Sequence, residues 1–70
     1  MRKPVDVSEI KVAVAGGAFS AAAEQARSLV LVPTPVLEAW LRQADLSNIE
    51  TNDAFERAAL DAYYGVGKWH

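Results

Sequence analysis

The stretch VPTPVLEAWL, residues 32–41, decides how this chain folds. Its two prolines interrupt the chain, because proline cannot continue a helix that comes before it. Thr34 is a favoured N-cap residue, and Pro35 suits the first helical position, where no backbone N–H is needed. The stretch therefore predicts a helix over about residues 35–46, whose apolar stripe consists of Val36, Leu37, Trp40, Leu41 and Ala44.

Two further helices are predicted upstream of the prolines. Asp6 and Glu9 have the spacing of a capping box, and Gly16-Gly17 can supply the left-handed residue that ends a helix, so the first helix covers about residues 7–15. The second covers about residues 18–30. Its apolar face recurs at helical spacing and consists of Phe19, Ala22, Ala23, Ala26, Leu29 and Val30.

An alternative α+β interpretation applies to parts of this upstream half. Ile10, Val12 and Val14 alternate with less apolar neighbours, and β-branched residues favour strands. A second β-branched run closes the region before the first proline. In this interpretation short strands lie near residues 9–15 and 28–32.

A fourth helix is predicted over about residues 53–64. Asp53 and Glu56 again have capping-box spacing, and Gly65 ends the helix. Residues 66–70 form a tail that is either flexible or folded back over the core. The fold class is therefore mainly α, with four short helices in a small bundle, and residues 1–70 form a single domain. The apolar face of this helix consists of Phe55, Ala58, Ala59, Ala62 and Tyr63.

Composition excludes several classes of protein. The 70 residues include no cysteine, so neither a disulfide framework nor a thiolate zinc site can form. The single histidine is the last residue, and Gly16-Gly17 lacks the spacing of a phosphate-binding loop. We therefore expect no catalytic residue, no bound metal and no cofactor. No apolar run reaches the roughly 18–20 residues of a membrane span, and we expect a cytoplasmic protein. The composition is compatible with a bacterial or phage source.

Charge is distributed unevenly along the chain. The net charge is −2, with four basic and three acidic residues in residues 1–35 and three basic and six acidic residues in residues 36–70. A stripe of Lys and Arg that could neutralise phosphates is absent. This pattern argues against non-specific binding to nucleic acid or to an anionic membrane.

The segment from Ala23 to Leu41 nevertheless resembles a helix-turn-helix unit. Ala26, Val30, Val32, Leu37 and Trp40 have the spacing of that motif's buried positions, and residues 32–41 are similar to the turn and recognition helix of many small repressors and excisionases. The resemblance covers nineteen residues and departs from the pattern in having Arg27 at the usual small residue and Leu31 at the usual turn glycine. It implies a DNA-binding regulator that uses residues 34–45, with Thr34, Glu38 and Arg42 at the DNA.

The aromatic residues suggest a different role. Three of the six lie in the last eight residues, and Trp and Tyr are enriched among the residues that dominate protein interfaces. We predict a small protein–protein interaction module that acts as a regulator, inhibitor or assembly factor, either docked on a larger protein or as a homodimer. An alternative is a non-catalytic small subunit of a larger enzyme. The candidate partner-binding residues are Trp40, Asp61, Tyr63, Tyr64 and Trp69.

Overall fold

The protein is described by a computed structural model over residues 5–69. Within these residues there is no strand, which confirms the mainly α prediction. The alternative strands near residues 9–15 and 28–32 are wrong, because the first segment is helical and the second forms a turn and a loop. The elements are α1 (Val7–Ala15), α2 (Phe19–Ala26), α3 (Thr34–Leu41), a single 3-10 turn (Leu46–Asn48) and α4 (Asn52–Tyr64).

Local caps explain why α1 is a helix in spite of its β-branched residues. The Asp6 side chain accepts a hydrogen bond from the Ser8 backbone N–H, and Glu9 accepts one from the Asp6 N–H, so the predicted capping box is formed. At the other end Gly17 has a φ of 79°, a left-handed conformation that costs glycine little. The Ala18 N–H then reaches back to the Ala13 carbonyl, as in a Schellman motif.

Helix α2 begins close to the predicted position but ends about four residues early. After Ala26 the backbone tightens into bonds that span three residues, from Ser28 N–H to the Gln25 carbonyl and from Leu29 N–H to the Ala26 carbonyl. The Ser28 hydroxyl also donates to the Gln25 carbonyl, at 2.7 Å. This side-chain bond competes with continued helix. Val30 therefore enters the core from an irregular segment.

Helix α3 corrects the predicted role of Thr34. Thr34 is the first helical residue, Pro33 occupies the cap position, and no side chain caps the helix. The helix also ends at Leu41 rather than near residue 46. Leu46 instead begins the 3-10 turn, which Asp45 caps by accepting the Ser47 N–H at 3.1 Å.

Helix α4 covers nearly the predicted range but is capped differently. Thr51 is the N-cap and accepts the Ala54 N–H at 3.1 Å, so the expected capping box of Asp53 and Glu56 is wrong. Asn52, the first helical residue, also ties this end of α4 to α1. Its Oδ1 accepts the Val7 N–H at 2.9 Å.

The core lies around α2, which packs against both α1 and α3. Three alanines of α2 have no exposed surface, and their small side chains let the neighbouring helices approach closely. Phe55 of α4 supplies the largest fully buried side chain. The buried residues are all apolar: Val7, Ile10, Ala22, Ala23, Ala26, Val30, Val32, Leu37, Leu41, Leu46, Phe55 and Ala59.

Candidate interaction surface on helix α4

The two halves of α4 differ in burial. Phe55 and Ala59 are buried, whereas Ala62 is exposed and Tyr63 keeps 40% of its surface exposed. The apolar face predicted for α4 is therefore buried at Phe55 and Ala59 but exposed at Ala62 and Tyr63. Ala62 and Tyr63 lie three and four residues after Ala59, which is about one helical turn. They therefore continue the apolar stripe of α4 past its buried residues.

The exposed continuation of this stripe borders a small cavity between α3 and α4. The cavity has a volume of about 160 Å³, and its lining includes Val36, Trp40 and Tyr63. Trp40 is half-buried and packs edge-on against Phe55, with ring centroids 5.3 Å apart. One face of Trp40 thus belongs to the core, and its remaining surface faces this cavity.

A larger cavity lies on a neighbouring face of α4. Its volume is about 570 Å³, and it is bounded by the connection after α2, by α4 and by the C-terminal tail. Tyr64 and Trp69 line it together with Leu60. The connection after α2 contributes Arg27, Ser28, Leu29, Val30 and Leu31 to the lining. The other lining residues are Glu56 of α4 and Lys68 of the tail.

The C-terminal tail folds back onto α4 as far as Trp69. The Trp69 indole Nε1–H donates to Oδ1 of Asp61, and Trp69 is half-buried. Gly65 permits the reversal with a φ of 106°. Asp61 therefore acts within the chain by holding the indole. The last predicted tail residue, residue 70, lies outside the described residues.

Tyr63 and Tyr64 form an aromatic ridge between the two cavities. Their rings are 4.6 Å apart and edge-on, and Tyr64 is 51% exposed. Tyr63 lines the smaller cavity and Tyr64 the larger one. The fold thus brings four of the predicted partner-binding residues together. Tyr63 and Tyr64 form the ridge, Trp40 lines the smaller cavity, and Trp69 lines the larger one.

Two of the three residues implied by the helix-turn-helix resemblance, Glu38 and Arg42, pair with each other. Arg42 donates to Glu38 at 2.9 Å, and its guanidinium lies over the Phe19 ring, 4.9 Å from the centroid. The hydrogen bond from Arg42 lowers the pKa of the Glu38 carboxyl. Thr34 is half-buried. Seven residues, 27–33, separate α2 from α3, compared with about three or four in the motif's usual turn.

Sequence reasoning did not identify the cationic and aliphatic lining of the larger cavity. The spacing of Glu56, Leu60 and Tyr64 at four-residue intervals places them on one helix face and could have been recognised. Arg27 and Lys68 come from segments that meet only through the tertiary fold. No pattern along the chain connects them.

Some kinds of site are absent from the part of the chain that the structure describes. Residues 5–69 contain no group of three or more His, Asp or Glu side chains placed to hold a metal ion. No helix within them has the length and apolarity to cross a bilayer. In comparisons with known proteins, no family model, no curated protein and no solved structure matches the chain.

Proposed function

We propose that the protein is a small helical interaction module that binds another protein through the C-terminal half of α4. In this role it would act as a regulator, an inhibitor or an assembly factor. The observation that carries the proposal is the aromatic ridge of Tyr63 and Tyr64, which is exposed between two cavities. Exposed aromatic side chains beside pockets are the usual anchors of protein interfaces.

The internal packing supports this location over the alanine-rich faces. Ala22, Ala23 and Ala26 are wholly buried inside the chain, so they have no surface to offer to a partner. Val36, in contrast, is 37% exposed at the rim of the smaller cavity. This exposure supports placing the partner on the side of α3 and α4 that extends past the core.

Paired variants test the proposal. Tyr64→Ala combined with Trp69→Ala removes aromatic surface from the larger cavity, and Val12→Ala removes exposed apolar surface from α1, where Val12 is 73% exposed. We expect affinity capture from native lysate, followed by quantitative mass spectrometry, to lose its specific partner with the first variant only. Equal capture by both variants and the unmodified protein would contradict the proposed surface.

Light scattering on the purified protein separates the two kinds of partner. A mass of two chains that falls to one in the Tyr64→Ala, Trp69→Ala variant would identify a second copy as the partner. A single-chain mass together with variant-sensitive capture would identify a different protein. Co-purification with an enzyme whose activity survives without the module would indicate a non-catalytic small subunit.

A further inference from the structure

The larger cavity combines apolar side chains with two cations, Arg27 and Lys68, for which the described part of the chain offers no side-chain partner. Among residues 5–69 neither Arg27 nor Lys68 makes a side-chain hydrogen bond or an ion pair. Both line the cavity of about 570 Å³, beside Leu60, Tyr64 and Trp69. Cavities that bind small molecules typically measure about 300–1,000 Å³ and join a mostly apolar surface to a few polar groups.

The Gly65 turn fixes the position of Lys68. A Cβ placed on Gly65 would lie 3.2 Å from Cδ of Lys68, so the lysine stem packs directly over the glycine backbone. The Lys68 backbone N–H also donates to the Gly65 carbonyl, at 3.1 Å. Two features of the fold thus hold this cation at the cavity, on the side formed by the tail.

Arg27 reaches the cavity from the opposite segment, directly after α2. It also lines two adjoining depressions, of about 490 and 440 Å³, that continue along the α2–α3 connection. Among residues 5–69, Glu56 is the only acidic residue that lines the larger cavity. The lining therefore carries a net charge of +1 in a chain whose net charge is −2.

We propose that this cavity is a binding site for a small apolar carboxylate, a ligand with one anionic group on an aromatic or aliphatic body. The carboxylate pairs with Arg27 and Lys68, which are long enough to reach it while their stems line the cavity. The apolar body packs against Leu60, Tyr64 and the indole of Trp69. Glu56 repels the carboxylate and so orients the ligand with its charged end away from that side chain.

An amide NMR titration with naphthylacetate tests the site. We expect the largest shifts at residues 27–31 and 64–69 and at the Trp69 indole N–H, with the Trp40 indole as an internal reference. Naphthylacetamide, which has the same body without the charge, should bind at least about fivefold more weakly. Equal binding of the two compounds, shifts centred on the α3–α4 cavity, or no binding would overturn the proposal.

Charge variants sharpen the same measurement. Arg27→Gln combined with Lys68→Gln should weaken naphthylacetate binding by about tenfold, since each exposed ion pair contributes only modestly. Arg57→Gln, an exposed cation of α4 that does not line the cavity, should leave binding unchanged. Glu56→Gln should tighten binding, whereas Asp53→Asn, which removes an exposed carboxylate elsewhere on α4, should not. If Arg57→Gln weakened naphthylacetate binding as much as the double variant does, the effect would come from the net charge of the protein, and this result would contradict the site.

The experiments on the carboxylate site and on the protein-interaction surface can fail separately. Loss of partner capture in the Tyr64→Ala, Trp69→Ala variant without naphthylacetate binding would leave the interaction module standing and remove the carboxylate site. Naphthylacetate binding without a partner that depends on Tyr64 and Trp69 would do the reverse.

Discussion

One apolar stripe runs along α4, but its beginning is buried and its end is exposed. Up to residue 59, Phe55 and Ala59 are buried, and Phe55 packs edge-on against Trp40. After residue 59, Tyr63 and Tyr64 pack edge-on against each other and remain 40% and 51% exposed. The difference shows that a helical apolar stripe is buried only where another element lies opposite it. The same periodicity produces core at one end and an available surface at the other.

The largest test of this comparison is Phe55→Ala. Truncating a fully buried phenylalanine costs about 3–5 kcal/mol, which is close to the entire free energy of unfolding of a domain this small. We expect the variant to be largely unfolded by circular dichroism at 25 °C. Tyr64→Ala, the matched truncation in the second half, should change the free energy of unfolding by less than about 0.5 kcal/mol. A similar loss from both would refute the division of α4.

Enlarging an alanine of α2 tests how closely the core helices approach. Ala23 has no exposed surface, so Ala23→Leu should overpack the core and destabilise the protein by about 1–3 kcal/mol in urea unfolding. Ala21 is exposed on the same helix, and Ala21→Leu should be nearly neutral. If Ala23→Leu were neutral too, the contact between α2 and its neighbours would be looser than the structure shows.

Asn52→Ala tests the tie between the starts of α1 and α4. The Asn52 amide accepts the Val7 N–H and donates to the Val5 carbonyl at 3.5 Å, across more than forty residues of chain. Loss of the acceptor leaves a part-buried N–H unpaired, at a cost of about 1–2 kcal/mol in urea unfolding. Asn48→Ala removes an exposed amide in the 3-10 turn and serves as the control. Equal stability of the two variants would show that the tie contributes nothing.

Asp61→Asn tests the tail at the second half of α4. The variant keeps the shape of Asp61 but weakens the acceptor for the Trp69 indole, since a charged acceptor forms the stronger bond. We expect the Trp69 indole N–H to exchange faster with solvent in NMR, while the free energy of unfolding changes by less than about 0.5 kcal/mol. An unchanged exchange rate would show that the charge of Asp61 does not help to hold the indole.

The smallest expected effect is a loss of thermal stability at acidic pH. The Arg42 hydrogen bond lowers the pKa of Glu38, and hydrogen bonds from Ser47 lower the pKa of Asp45. A carboxyl whose pKa is depressed by folding adds stability at neutral pH and loses it as the pH falls through its folded value. The melting temperature should therefore decline between about pH 5 and pH 3. Glu38→Gln and Asp45→Asn should each flatten that decline, and Glu24→Gln, an exposed carboxyl of α2, should not.

Local signals in the sequence predicted the elements well and their ends less well. The capping box of Asp6 and the stop at Gly17 need only neighbouring residues, and both are formed as expected. The cap of α4 was misplaced because Thr51 and Asp53 are equally plausible acceptors along the chain. Which one caps depends on where Asn52 docks against α1.

The helical class, the break at the prolines and the glycine stops depend on backbone dihedral preferences and on hydrogen bonds within a few residues, so they can be predicted along the chain. In contrast, the tertiary structure sets which apolar residues are buried. It enclosed the alanines of α2, left Tyr63 and Tyr64 exposed, and brought Arg27 and Lys68 to one cavity. Burial depends on which element packs against a side chain, and the periodicity along one helix does not show which element that is.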